Sequence, residues 1–115
     1  MYKLVILIEP SDAWQEAEER WPEFLDLAES MPGLLRESTS HVENFLSGAT
    51  PYFKMHELFF DNRRAAELAL SSPQGRQAGM ILQQITGGQV TLFFADHKED
   101  DMANIRKYKP AKEQG

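Results

Sequence analysis

The segment TGGQVTLFF, Thr86–Phe94, places two glycines directly before a run of strand-forming apolar residues. A glycine pair can cradle a phosphate, but that use needs a strand, then the glycine loop, then a helix N-terminus whose free amides and positive dipole end meet the anion. Here the order is reversed. Ahead of Thr86, the residues Ala78, Ile81, Leu82 and Ile85 recur at helical spacing, so the glycines follow a helix and precede a strand. Gly87 is therefore expected as a left-handed C-cap and Gly88 as a sharp corner. Val90, Leu92 and Phe94, alternating with Thr91, Phe93 and Ala95, form the last strand.

Upstream of that corner, SSPQG (Ser71–Gly75) reads as a helix start, with Ser72 as cap and Pro73 at the first helical position, where its missing donor does no harm. NRRAAELAL (Asn62–Leu70) is a shorter helix before it. YFKMHELFFD (Tyr52–Asp61) carries large side chains on both alternating faces, as does Tyr2–Glu9 at the start of the chain, so both strands are expected in the middle of a sheet. LLRESTSHV (Leu34–Val42) is more polar and suits a sheet edge, followed by the loop ENFLSGATP.

Between the first two strands, Trp14, Ala17, Trp21, Phe24, Ala28 and Met31 recur as one helical stripe. Asp12 and Gln15 stand at capping-box spacing, Pro22 predicts a kink or a restart, and MPGLL ends the helix. The chain thus reads β-α-β-β-α-β, an α+β ferredoxin-like sandwich with an antiparallel sheet whose first and third strands are central. Helices cover one face of that sheet. The other face also carries large apolar groups, which a second copy of the chain would cover, giving a homodimeric α+β barrel. Residues 1–97 form this domain, and 98–115 a polar C-terminal tail in which Met102, Ile105 and Tyr108 could form one docking turn.

Composition narrows the function. With 115 residues and 42% apolar content the chain holds one domain. The lack of cysteine excludes disulfides, thiolate nucleophiles and cysteine-ligated metals. A net charge of −6 argues against nucleic acid, because the one basic cluster is IRKYKPAK in the tail, and YFKMHELFF lacks the glycine of an RNA-binding strand. The apolar run at the N-terminus is far shorter than the roughly 20 residues of a membrane helix. A cytoplasmic protein with no membrane partner is expected.

MPGL (Met31–Leu34), PYFKMHELFFD (Pro51–Asp61), LSSPQGRQA (Leu70–Ala78) and TGGQVTLFFAD (Thr86–Asp96) resemble the EthD-like proteins, named for a component of ethyl tert-butyl ether degradation. The similarity spans residues 2 to 97. It implies a dimeric α+β barrel, bacterial-type and cytoplasmic, with a pocket between sheet and helices; relatives in the wider superfamily include cofactor-free oxygenases, isomerases and cyclases of small, often aromatic compounds. Many members carry a histidine, then a proline two residues on, in the second half of helix one. Counting back from Pro32-Gly33-Leu34, those positions are Phe24 and Asp26 here, so no proton-shuttling imidazole stands on that helix.

Four other residues are candidates for catalysis. His56 and Glu57 are neighbours on a central strand and point to opposite faces, so they cannot act as a pair. His56 is by default a hydrogen-bonded core histidine, whereas Glu57, in a two-sided apolar strand, must be paired or neutral. His41 and Glu43 share a face as a base and its orienting carboxylate would, although a solvated edge is the simpler account, because polar alternation on an edge strand needs no function. A metal would require His41, His56 and His97 to converge, and no ligand spacing supports that, so neither metal nor cofactor is expected. Phe24, Trp21 and Tyr52 are the expected pocket walls for a small hydrophobic ligand. Two functions remain: a cofactor-independent enzyme of isomerase or oxygenase type, or a non-catalytic homodimeric binding or assembly module.

Overall fold

A computed structural model describes residues 1–12, 14–48 and 52–103. The elements run β1 (Tyr2–Ile8), α1 (Trp14–Glu29), β2 (Arg36–His41), β3 (Lys54–Phe60), α2 (Arg63–Ser71), α3 (Pro73–Thr86) and β4 (Val90–Asp96). The four strands form one antiparallel sheet in the order β2-β3-β1-β4, which puts the two strands of two-sided apolarity in the middle. This is the ferredoxin-like α+β arrangement expected from the pattern.

Register decides which side chains share a face. Leu4 opposes Leu58 and Phe94, and Ile6 opposes His56 and Leu92. These residues meet the helices, where Leu4, Ile6, Ile8, Leu58 and Phe60 pack against Trp14, Trp21, Phe24 and Leu82 in a single core. The opposite, helix-free face is built from Lys3, Val5 and Leu7 with Met55, Glu57 and Phe59. Val5 and Phe59 are buried even there; over the Phe59 ring lie Lys3 and Arg36, 5.6 and 4.2 Å from its centroid.

The helix ends follow local chemistry. Asn62 caps α2 by accepting from the Ala65 amide, and Ser72 caps α3 by accepting from the Gly75 amide, with Pro73 in the first turn. Gly87 closes α3 in the left-handed region at φ 60°. Gly75 has a different reason: a Cβ there would sit 2.1 Å from the Ala69 carbonyl oxygen, so only glycine lets α3 start this close to the end of α2.

Three boundaries differ from the sequence reading. α1 runs unbroken through Pro22, with no restart. Pro22 is exposed, so the carbonyl one turn back that loses its donor can turn to water. α1 begins at Trp14, so Asp12, expected as its cap, lies two residues ahead of the helix. β2 ends at His41, leaving Glu43 in the following loop. In the tail, Glu99 is not simply solvated, since it accepts from Arg36 (2.8 Å) and His97 (2.6 Å). Of the expected docking turn, only Met102 is described.

Candidate functional site

Between the sheet and α3 lies an apolar cavity of about 250 Å³. Leu4, Ile6 and Leu58 form its floor, Ala78, Gly79 and Leu82 its α3 wall, and Phe24 and Met31 its far end. Leu92, on the β4 edge of the helix-covered face, is half exposed beside it. Phe24 lines this space. Trp21 and Tyr52 do not: Trp21 packs edge-on to His56 (5.4 Å) and against Phe24 (4.9 Å), and the Tyr52 hydroxyl lies 3.3 Å from Thr91 Oγ1.

Beside Phe24 is a polar chain centred on a buried histidine. His56 is wholly buried, at 0% exposure, and both ring nitrogens are engaged: Nδ1 with Thr39 Oγ1 at 2.8 Å, and Nε2 with Glu37 Oε2 at 3.1 Å. Thr39 is the cross-strand partner of His56, and Glu37 sits two residues earlier on the same face of β2. Burial, reinforced by the Lys54 charge, holds the His56 pKa down to about 4, so the ring is neutral at pH 7. Burial also raises Glu37 to about 7, helped by a hydrogen bond and charge repulsion from Glu29 at the end of α1. Two proton arrangements satisfy the chain. With Glu37 ionised, Nε2–H donates to it and the Thr39 hydroxyl donates to Nδ1; with Glu37 protonated, the direction reverses.

Lys54, two residues before His56 on the same face, is 4% exposed. Its ammonium lies 4.3 Å from the Trp21 ring and 4.9 Å from Trp14, so the aromatic faces replace part of its hydration. Burial lowers its pKa, and Glu18 opposes the shift.

The structure separates the remaining candidates. Glu57 lies on the helix-free face and pairs with Lys3 at 2.5 Å, the two side chains being 12% and 19% exposed, and Ser38 Oγ donates to it at 3.4 Å. It is paired, as burial demands, but with a lysine on the adjacent strand. His41 and Glu43 are exposed and do not share a strand. His97 packs on Phe59 at 5.0 Å, on the face opposite His56, so the three histidines do not converge; among the described residues no group of three His, Asp or Glu side chains could hold a metal. Sequence reasoning missed Thr39, Glu37 and Lys54. Lys54 alone carried a signal, as a cation in a strand apolar on both faces, which has to find aromatic or anionic company.

Fold and site together define a ferredoxin-like α+β protein with an apolar cavity under its helices. The chain matches no protein-family model. It is EthD-like in fold: an EthD family protein from Bacillus halodurans C-125 superposes with a TM-score of 0.77 at 21% identity, covering 85% of this chain and 99% of that one. A dimeric ferredoxin-like protein of unknown function from Jannaschia sp. CCS1 gives 0.63 at 19% identity, over 84% and 97% of the chains. SnoaB, a cofactor-independent oxygenase from Streptomyces nogalater, gives 0.66 at 12% identity, over 86% and 94%. In sequence, the chain is 22% identical over 99 residues to an uncharacterized 11.0 kDa protein of the thcB-thcC intergenic region of Rhodococcus erythropolis, covering 85% of this chain and 96% of that protein. No helix among the described residues is long and apolar enough to cross a membrane.

Proposed function

We propose that this chain is a cytoplasmic homodimer that binds a small hydrophobic compound, one or two aromatic rings in size, in the cavity between sheet and α3. The observation that carries the reading is the cavity itself, about 250 Å³ with apolar walls. A dry apolar void of about 150 Å³ is enough to take up benzene. The homodimer is supported by the half-buried Leu7 and Met55 and the exposed Phe93 on the helix-free face, and by several structurally similar proteins being described as dimeric. Of the two cofactor-independent chemistries, isomerase and oxygenase, the oxygenase type is supported by the description of SnoaB.

A second reading, a non-catalytic binding or assembly module, is favoured by one feature of the site. His56 is the titratable group beside Phe24, yet it is not among the residues that line the cavity. Gly79 allows a clean test of the binding itself. It lines the cavity, and a Cβ there meets nothing within 4 Å, so Gly79→Leu fills the mouth while improving helix propensity by roughly 0.5 to 1 kcal/mol. Naphthalene and simple phenols should raise the melting temperature of the wild type and leave that of Gly79→Leu unchanged. Equal shifts in both proteins, or none in either, would remove the cavity as a binding site.

A further inference from the structure

We propose that Thr39, His56 and Glu37 form a nucleophile–base–carboxylate triad that accepts acyl groups from small activated esters or thioesters at the open edge of β2. This site is distinct from the apolar cavity and does not depend on it.

The argument starts from His56. A histidine with both nitrogens bonded and no exposure can exchange protons only through its partners. One partner, Glu37, is half-buried and is held in turn by Glu29; the other, Thr39, is exposed. The hydroxyl that solvent-borne reagents can reach is therefore the one hydrogen-bonded to a neutral imidazole, and that imidazole is oriented on its far side by a carboxylate. Those are the relations that define such a triad: nucleophile to base at 2.8 Å and base to carboxylate at 3.1 Å. The rings of Trp21 and Phe24, edge-on to His56 at 5.4 and 6.0 Å, fix its plane.

The edge position supplies a further element. β2 is the outermost strand of the sheet, and Val42 N–H donates to Phe53 O. In that register the even-numbered residues of β2 turn their backbone groups toward β3, and Thr39 turns its own N–H to the open edge. An unpaired backbone N–H on the nucleophile is a donor for the oxyanion formed on attack.

The step balances without a cofactor. Thr39 Oγ1 bonds to the acyl carbon while Nδ1 takes the hydroxyl proton, and Nε2–H remains on the Glu37 carboxylate. The intermediate then collapses with cleavage of the carbon–oxygen or carbon–sulfur bond, and Nδ1 returns the proton to the departing alkoxide or thiolate. Water, deprotonated by the same nitrogen, hydrolyses acyl-Thr39. Ionised Glu37 is required for this direction of the chain. The charged groups acting on the two titrating members are Glu29 on Glu37, and Lys54, Glu29 and Glu57 on His56.

Full-length protein mixed with p-nitrophenyl acetate should release a burst of one p-nitrophenol per chain, with the acetyl label mapped to Thr39 by peptide mass spectrometry. Thr39→Ser should keep the burst. Thr39→Val, with an intact fold checked by circular dichroism, removes the nucleophile and should abolish both the burst and the acetyl label at residue 39, and Glu37→Gln should abolish the rise of acylation rate through about pH 7. A label confined to lysines, or an unchanged burst in Thr39→Val, would overturn the proposal.

Discussion

The Phe24 ring lies 6.0 Å from that of His56 and also forms part of the cavity wall. One phenyl group therefore borders both an apolar space and a polar cluster. Phe24→Ala should cost about 3 kcal/mol, at the low end for a buried phenylalanine, because the space beside it is already partly empty. The enlarged cavity should shift binding toward bulkier aromatic compounds. Thermal unfolding with and without a graded series of ligands measures both effects, and a loss near 5 kcal/mol with unaltered ligand preference would mark Phe24 as packing alone.

Glu37 and His56 tie stability to pH in opposite directions. Glu37 is raised from 4.5 to about 7, so the unfolded chain loses this proton first, and stability from this group declines as pH rises from about 4.5 to 7. His56 is lowered from 6.5 to about 4, so the unfolded chain gains a proton first, and stability from this group rises with pH between about 4 and 6.5. In the wild type the two slopes oppose each other over their shared range. Glu37→Gln should leave a rising profile and His56→Gln a falling one, read from urea midpoints across pH; parallel profiles in both variants would refute the opposition.

Lys3 and Glu57 are the buried ion pair of the helix-free face. Lys3→Met strands the carboxylate and should cost about 1 to 3 kcal/mol. The double variant Lys3→Met/Glu57→Leu should recover most of that loss, because no charge is left without a partner. A double-mutant cycle gives the coupling, and additive losses would show that the pair does not matter.

If the helix-free faces join two chains, Phe93→Asp should place a charge in that contact and split it. Sedimentation at micromolar concentration should then give 13.2 kDa for the variant and twice that for the wild type. A wild type that sediments as one chain defeats the dimer.

The fold was legible because its signals are local. The stripe Trp14, Ala17, Trp21, Phe24 and Ala28 is buried along one side of α1, Ser72 and Gly87 cap α3 where the pattern put them, and the two-sided strands occupy the middle. The polar chain was not legible, because it depends on strand register. Thr39 faces His56 only once β2 and β3 are paired, and nothing in RESTSH read alone says which of its hydroxyls and carboxylates turns toward the helices. Lys3 and Glu57 are 54 residues apart and meet for the same reason. Phe53, grouped with Met55 by simple alternation, packs instead on Trp14 at 4.9 Å, because β3 begins only at Lys54 and the residue before it escapes the pleat.

The polar edge strand has a consequence for how this protein can change. Five of the six residues from Arg36 to His41 are exposed, and none belongs to the core, so single substitutions at Ser40 and His41, which hold neither His56 nor Glu57, should alter stability by no more than about 0.5 kcal/mol. The central strands have no such latitude, since each of their apolar residues is committed to packing. New side chains can therefore be sampled at Ser40 and His41, beside a histidine that Thr39 and Glu37 keep oriented, without risking the fold, which makes this end of the strand the part of the protein where selection has the most room to alter chemistry.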